Sequence, residues 1–281
     1  MKILVTGGSG YLGTHVCRFF SADDFSRRSN LNILSFPDAE RVEDYDVVIH
    51  LAAYMDKSPD GADLSFRTNA EGTRNLILNM RPNSVFIYAS TKDVYGSHAN
   101  SFSEPVPETC ETMYTGQSAF EWSKLIGEQY LAYHAYQRNV RACIFRMSAV
   151  YARPSSGNEN GFVSHYVESV KHGWPIRLPA NADPVRDILY VDDFSRACKA
   201  FIDSSRVFGL YNLGGGPANA APLREIIQTV GRLIELEPSI SDDPNIPLPV
   251  PLNYVSDLSR IRDELGWQPQ VSLEEGLRNL L

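Results

Sequence analysis

The sequence lacks several features that would place the protein in a specialised class. It contains no apolar run of about eighteen residues, so we expect no membrane-spanning helix. Its first residues show a strand and a turn rather than a basic head and an apolar segment, so we expect no signal peptide. The 26 basic residues are outnumbered by 34 acidic ones, and the net charge of −8 argues against a nucleic-acid surface. These absences lead us to expect a cytoplasmic protein.

Cysteine is also scarce. The four cysteines are scattered without the spacing of a metal site, at Cys17, Cys110, Cys143 and Cys198. Because Cys17 and Cys143 lie within apolar helix and strand patterns, reduced core thiols are favoured over disulfides. The histidines on predicted helices have no second ligand four residues further on, at His15, His134, His165 and His172. We therefore expect no metal site and no metal cofactor.

A glycine-rich stretch near the start of the sequence is its clearest motif. The apolar run Ile3–Val5 predicts a buried strand, and helical spacing of apolar residues begins at Leu12. Gly7, Gly8 and Gly10 lie between the strand and Leu12, and Gly13 follows Leu12 directly. A strand, glycine turn and helix in this order direct backbone N–H groups at one spot, where a pyrophosphate can sit. We predict that a dinucleotide contacts Gly7, Gly10, Tyr11, Leu12 and Gly13; a tight turn without a ligand would not need three of these glycines together.

The following segment bears on which dinucleotide is bound. We predict the second strand at Leu31–Leu34, after the polar stretch Ser21–Asn30. In a dinucleotide-binding unit an acid often ends this strand and holds the adenosine ribose hydroxyls, whereas here Ser35 occupies that position. Because serine does not repel a 2′-phosphate, this position leaves NAD and NADP both open. We expect NAD as the cofactor and keep NADP as the alternative. The segment before the next strand is short enough for a whole strand to be missing.

Strands and helices alternate through the first half of the chain. Strands are predicted at Asp46–Ala53, Val85–Ala89 and Val140–Phe145, and helices at Ser65–Met80 and Gln117–Arg138. The apolar run in Asp46–Ala53 favours a parallel sheet that is buried on both faces. The alternation predicts an α/β protein with a doubly wound parallel sheet.

The second half has a different pattern. A loop rich in proline, serine and glycine is predicted at residues 154–161. Helical spacing follows at Phe162–His172, Phe194–Ser204, Leu223–Leu236, Leu258–Leu265 and Leu273–Leu280. We predict a dinucleotide-binding domain of residues 1–152 with 185–211. A smaller α/β substrate-binding domain is predicted from residues 153–184 with 212–281.

Eight motifs occur in the order that is typical of one known family. They are TGGSGYLG (Thr6–Gly13), HLAA (His50–Ala53), TNAEGTRNL (Thr68–Leu76), STKDVYG (Ser90–Gly96), SKLIGEQ (Ser123–Gln129), RDILYVDD (Arg186–Asp193), NLGGG (Asn212–Gly216) and ELGWQP (Glu264–Pro269). Across nearly its whole length the sequence resembles the extended short-chain dehydrogenases/reductases, specifically the NAD-dependent nucleotide-sugar epimerases and dehydratases. The resemblance implies a Rossmann sheet, a smaller C-terminal substrate domain, and transient oxidation of a nucleotide sugar by NAD or NADP.

The resemblance also implies roles for individual residues. The family's catalytic Ser/Thr falls on Thr91, because VYG follows it at the family spacing. The family lysine falls on Lys124, where its ammonium would hold the nicotinamide ribose and lower the pKa of a neighbouring phenol. Arg186 matches an arginine that binds the substrate pyrophosphate; the alternative for it is an ion pair with Asp183 or Asp187. The further positions implied to contact the cofactor are Leu51, Ala52, Ala53 and Asn69.

Phe120 is the largest departure from the family pattern. FEWSK stands where the family has YxxxK, and the tyrosine normally takes the hydroxyl proton as hydride leaves. General acid–base help of this kind contributes ~10²–10⁴-fold, about 3–5 kcal/mol of barrier. A phenylalanine has no proton to exchange. We therefore expect intact cofactor binding and reduced redox turnover.

Three explanations for Phe120 stay open. It is a deliberate substitution that traps substrate, or another group moves the proton, or the chain binds cofactor without turnover. The candidates for a replacement group are Asp93, Tyr114 and Glu121. Epimerisation is the activity we expect. One alternative is a dehydratase or a 4-keto-sugar reductase; Lys92 makes the dehydratase less favourable, because hexose dehydratases often carry an acid at that position. The other alternative is a non-catalytic dinucleotide-binding sensor.

The resemblance finally implies an assembly. The helices that contain Thr73–Met80 and Trp122–Tyr136 match those that pair into a four-helix bundle in family dimers. The second helix carries more aromatic residues than one core-facing stripe requires. We therefore predict a homodimer through these helices. No membrane or nucleic-acid partner is expected.

Overall fold

The computed structural model describes residues 1–103, 105–154 and 161–281, so most of the predicted loop at 154–161 lies outside the described residues. The strands are β1 (Ile3–Thr6), β2 (Asp23–Phe25), β3 (Val47–His50), β4 (Val85–Thr91), β5 (Arg141–Met147), β6 (Ala149–Tyr151), β7 (Ile176–Pro179), β8 (Val185–Tyr190), β9 (Phe208–Leu213), β10 (Ala220–Pro222) and β11 (Ile240–Asp243). The α-helices are α1 (Gly13–Phe20), α2 (Phe36–Ala39), α3 (Ala62–Ser65), α4 (Gly72–Asn79), α5 (Ala119–Arg138), α6 (Phe162–His172), α7 (Val191–Asp203), α8 (Leu223–Ile234), α9 (Ser259–Leu265) and α10 (Leu273–Arg278).

A six-stranded sheet forms the centre of the fold, in the order β2-β1-β3-β4-β5-β9. Every neighbouring pair in it is parallel. Side chains alternate between its two faces: Ile3 and Val5 belong to one hydrophobic cluster with Val16 of α1, whereas Leu4 belongs to a second with Leu131 of α5. Both faces are therefore covered by helices, which confirms the predicted doubly wound parallel sheet.

The second strand is not where the sequence pattern placed it. The prediction of a strand at Leu31–Leu34 is wrong, because β2 pairs with β1 and consists of Asp23–Phe25. Two of its three residues are acidic, so this short edge strand has no apolar pattern. The apolar residues of Leu31–Leu34 instead pack against the second hydrophobic cluster. Ser35 does not end a strand; its hydroxyl accepts a hydrogen bond from the Asp38 N–H and caps α2.

The remaining strands form two small sheets. One has the order β10-β8-β6, and the other pairs β7 with β11. β8 therefore lies outside the central sheet, whereas β9 returns to it. Helices α6, α8 and α10 pack together beside these sheets. The proposed division into two domains stays a prediction.

The long predicted helix begins at Ala119 rather than at Gln117. Ser118 caps it, since the Ser118 hydroxyl accepts from the Phe120 N–H and the Glu121 carboxylate accepts from the Ser118 N–H. This reciprocal capping fixes the first turn of α5. The first turn carries Phe120, and Lys124 follows one turn later, so both side chains face the same side of the helix.

All four cysteines are free thiols. Burial, reinforced by Asp24 and Asp23, raises the pKa of the Cys17 thiol to about 11. Within the described ranges no helix is long and apolar enough to cross a bilayer. Over the same ranges no group of three His, Cys, Asp or Glu side chains could hold a metal ion.

Candidate active site

A cleft of about 1680 Å³ opens at the carboxyl ends of the central strands. Its walls come from the segments after β1, β2, β3, β4 and β5, from the first turns of α5 and α6, and from further residues of the second half that include Arg186 and Val250. Because β2 and β3 lie on opposite sides of β1, the strand order reverses there, the usual ligand-binding point of such sheets. The volume exceeds the roughly 300–1,000 Å³ of a pocket for one drug-sized ligand, so the cleft has room for two adjacent ligands.

The glycine turn forms the wall after β1. Gly7 has a φ of +69°, and a Cβ there would lie 3.0 Å from Ala52. A Cβ on Gly13 would lie only 2.0 Å from the Gly7 carbonyl oxygen, so these two glycines are required for the turn to close. Around Gly10, the Gly7 carbonyl oxygen at 3.0 Å is the only described atom within 4 Å of an added Cβ. The structure therefore keeps Gly10 open towards the cleft.

The turn also fits a pyrophosphate electrostatically. The backbone N–H groups of Tyr11 and Leu12 have no acceptor among the described residues. They precede α1, whose N-terminus adds a positive partial charge. Free N–H donors and an open Cα face are what a pyrophosphate requires, so these residues fit the cofactor that the motif predicts.

Tyr11 connects the glycine turn to the second half of the chain. Its hydroxyl donates to the Ala152 carbonyl oxygen at 2.8 Å and lies 2.7 Å from the Ser164 hydroxyl. Opposite the turn, Leu51, Ala52 and Ala53 form the wall after β3. The Leu51 N–H is held by the Thr6 carbonyl oxygen at 3.1 Å. Both walls are thus fixed to β1 by backbone contacts.

Two predicted cofactor residues do not lie on the described wall of the cleft. Asn69 is fully buried, and its side-chain amide bonds both the N–H and the carbonyl of Tyr54 at 2.8 Å. The same amide donates to the Ser123 hydroxyl at 2.9 Å, so Asn69 fixes the Tyr54 segment to α5. Ser35 is likewise absent from the wall, because the strand expected before it does not form.

Thr91, Phe120 and Lys124 come together on one wall. Thr91 is the last residue of β4, and its hydroxyl accepts from the Asp93 N–H at 3.1 Å. Lys124 is 3% exposed, and its Nζ donates to the Ala89 carbonyl oxygen at 2.7 Å. Burial lowers the pKa of Lys124 to about 7, although Glu128 acts in the opposite direction.

A charged cluster that the sequence did not reveal lies beside Phe120. The Lys57 Nζ is 3.0 Å from the Asp93 carboxylate, 2.6 Å from that of Glu121 and 5.5 Å from the centre of the Phe120 ring. Lys92 also pairs with Asp93. Lys57 follows the HLAA motif in a loop without a periodic pattern. Its only sequence signal is its position after a strand whose carboxyl end faces the cleft.

The candidate proton acceptors are all engaged or distant. Burial raises the pKa of the Asp93 carboxyl, but the ammonium groups of Lys92 and Lys57 hold it well below its usual range. Asp93 is therefore a weak base. Glu121 accepts from Lys57 and from Ser118. Tyr114 is 68% exposed, stacks on Trp122 and does not form part of the described wall.

Arg186 reaches the cleft from the second half of the chain. It is 9% exposed and donates to the carbonyl oxygens of Val185, Pro251 and Leu252 at 2.7, 3.1 and 2.7 Å. The alternative interpretation, an ion pair with Asp183 or Asp187, is wrong, since neither carboxylate lies within ion-pair distance among the described contacts. Asp187 accepts instead from Ser148, Gly216 and Ser256.

Comparisons with known proteins extend over the whole chain. The sequence model of the NAD dependent epimerase/dehydratase family matches residues 3–214. The CDP-paratose 2-epimerase of Salmonella typhi is 26% identical over 336 residues, covering 100% of this chain and 98% of that protein. A dTDP-glucose 4,6-dehydratase of Mycobacterium tuberculosis is 28% identical over 313 residues, covering 100% and 92%.

A solved structure with a similar fold agrees with these relatives. The UDP-glucose 4-epimerase of Thermotoga maritima, solved with UDP-glucose, superposes with a TM-score of 0.85 at 25% identity. The superposition covers 100% of this chain and 97% of that one. The likeness therefore includes the small sheets of the second half as well as the central sheet.

Proposed function

Because the chain belongs to the NAD-dependent epimerase/dehydratase family, we propose that it modifies a nucleotide sugar by transient oxidation, with epimerisation as the reaction. The observation that carries this proposal is that one cleft brings together the glycine turn, Thr91, Lys124 and Arg186. The glycine turn fits a dinucleotide, and Arg186 supplies a positive charge for the substrate's pyrophosphate. The cofactor is a nicotinamide dinucleotide.

The chain's own residues divide the work in this proposal. When bound, the nicotinamide ring would accept a hydride from a sugar carbon, whose hydroxyl proton would pass to solvent, and would return the hydride to the opposite face of the resulting ketone as the proton comes back. Lys124 holds the ribose hydroxyls beside that ring, and Thr91 orients the sugar hydroxyl by hydrogen bonding. Arg186 is preoriented by three backbone carbonyls, so little side-chain entropy is lost when it binds a phosphate.

Phe120 decides how fast this chemistry runs. It occupies the family's tyrosine position in the wall, where it offers no hydroxyl. Asp93 and Glu121 are held by Lys57, so neither is ready to replace the missing proton acceptor. We therefore expect the chain to bind both ligands and to turn over slowly. The missing hydroxyl at Phe120 and the pairing of Asp93 and Glu121 with Lys57 also favour a second candidate function, a sensor that binds dinucleotide without turnover.

The test begins with the purified full-length chain. Mass spectrometry of the molecules released by denaturation identifies any retained dinucleotide and nucleotide sugar. Calorimetric titration with UDP-, dTDP- and CDP-linked hexoses then measures binding, and chromatography of the incubated sugars detects epimers. We expect a retained dinucleotide, micromolar binding of one sugar class and slow epimer formation. Dinucleotide binding with no affinity for any sugar nucleotide would leave the sensor function and overturn the epimerase.

A further inference from the structure

We propose that the cofactor carries a phosphate on its adenosine 2′-oxygen and that Arg27 and Arg28 bind this phosphate, so that NADP(H) is preferred over NAD(H). The inference rests on the proposed function, since it concerns the adenosine end of the same cleft. Its basis is the corrected position of the second strand. β2 ends at Phe25, and the residues that follow it are Ser26, Arg27 and Arg28.

The end of β2 lies directly beside the glycine turn. The Gly7 N–H donates to the Phe25 carbonyl oxygen at 2.8 Å. The Ser9 hydroxyl donates to the Ser26 hydroxyl at 2.9 Å, and Arg28 Nη1 donates to the Ser9 carbonyl oxygen at 3.2 Å. The residues after β2 are thus fastened to the turn that fits the pyrophosphate. In sheets of this type, the side chains at this position meet the adenosine ribose.

The wall at this end is positively charged. Ser26, Arg27 and Arg28 all line the cleft, together with the apolar and amide side chains of residues 31–34. No carboxylate belongs to this part of the described wall. An acid that accepts from both ribose hydroxyls is the usual mark of NAD selection, whereas a nearby arginine accommodates the 2′-phosphate. The exposed Arg27 forms no ion pair with any described residue.

Neither of the two acids within β2 substitutes for that ribose-binding carboxylate. Asp23 lies outside the described cleft wall and accepts from the Tyr45 hydroxyl at 2.9 Å. One Asp24 oxygen accepts from the Ser26 hydroxyl at 2.7 Å. A Cβ on Gly8 would lie 2.6 Å from the other oxygen, so the carboxylate lies beneath the glycine turn rather than in the cleft. A phosphate carries about two negative charges, and the planar guanidinium binds its oxygens in bidentate fashion. The two arginines therefore favour a 2′-phosphate over a free hydroxyl.

Paired ligands test the inference without any turnover. Calorimetry on the full chain compares NADP⁺ with NAD⁺, and 2′,5′-ADP with 5′-ADP, which differ only in the 2′-phosphate. We expect the phosphorylated member to bind at least about tenfold more tightly, which corresponds to about 1.4 kcal/mol. The advantage should shrink as salt is raised, because exposed charges are screened.

Variants assign the effect to the arginines. Arg27→Ala with Arg28→Ala should weaken NADP⁺ binding at least about tenfold and change NAD⁺ binding less than about threefold. Arg41→Ala is the matched control, because Arg41 is an exposed cation near β2 that lies outside the described cleft wall. Circular dichroism checks that each variant is folded.

The outcomes separate the inference from the proposed function. Equal affinity for NADP⁺ and NAD⁺, or a double variant that keeps the preference, would overturn the 2′-phosphate assignment while leaving the proposed function intact. If neither dinucleotide binds and 5′-ADP does not bind, both the inference and the proposed function fail. A preference that is lost in Arg41→Ala as fully as in the double variant would show a general charge effect and also refute the assignment.

Discussion

Restoring a hydroxyl at position 120 is the sharpest perturbation of the proposed mechanism. Phe120 is 5% exposed and already lines the cleft, so Phe120→Tyr adds one oxygen at an existing ring position. The new phenol would lie close to Lys57, whose Nζ is 5.5 Å from the ring centre, and one helical turn before Lys124. The variant should therefore fold normally and present a proton acceptor to the substrate.

The charges around the ring set the basicity of that phenol. At an effective dielectric constant of about 20, a unit charge ~6 Å away stabilises a phenolate by about 3 kcal/mol. Asp93 and Glu121 also pair with the Lys57 ammonium and partly neutralise its charge. We therefore take about half of the ~3 kcal/mol as the stabilisation of the phenolate. The Lys57 ammonium should therefore lower the pKa of the phenol relative to the same phenol without that charge. Turnover of Phe120→Tyr should rise at least ~100-fold and increase from pH 7 towards pH 9.

The assay measures epimer formation by chromatography, together with affinities for dinucleotide and sugar nucleotide. Phe120→Met is the matched control, since it fills the wall without a hydroxyl and should not accelerate the reaction. Asp93→Asn in the parent tests for a relocated base. A folded Phe120→Tyr variant that binds both ligands without faster turnover would refute the reasoning, and loss of parent activity in Asp93→Asn would assign the proton transfer to Asp93.

Three further predictions concern binding, stability and assembly. Gly10→Val should keep the fold and weaken dinucleotide binding about 5- to 150-fold in calorimetry, and an unchanged affinity in the folded variant would contradict this. Gly13→Ala should unfold at a lower urea concentration than the parent, because its Cβ would meet a backbone atom at 2.0 Å. Because folding lowers the pKa of Lys124 to about 7, the unfolded chain binds more protons than the folded chain above pH 7. The free energy of unfolding without cofactor should therefore rise by about 2–3 kcal/mol from pH 7 to pH 9. Lys124→Met should remove this pH dependence, and an unchanged pH dependence in the variant would contradict the prediction. Tyr133 and Tyr136 are 63% and 85% exposed on α5, and we expect a homodimer to cover them. Light scattering at micromolar concentration should show this dimer and a weaker dimer for Tyr133→Asp, whereas a monomeric parent would refute the predicted interface.

The sequence alone determined the features that depend on neighbouring residues. The apolar strand Val47–His50 and the capped helix α5 follow from local periodicity and from Ser118 with Glu121. The glycine turn is equally local, because Gly7 and Gly13 are needed wherever the chain turns this tightly. Motif spacing also placed Thr91, Phe120 and Lys124 on the wall where the structure has them.

Tertiary structure alone decided the features that depend on pairing across the chain. β2 is a strand because β1 supplies its hydrogen bonds, and its acidic residues carry no apolar pattern that could predict it. The same pairing brings Ser26–Arg28, and not Ser35, to the wall of the cleft, which is why we propose that the adenosine end binds there. Lys57 meets Asp93 and Glu121 only because the loops after β3 and β4 and the start of α5 converge at one edge of the sheet. Such contacts join residues far apart in sequence, and local spacing contains no information about them.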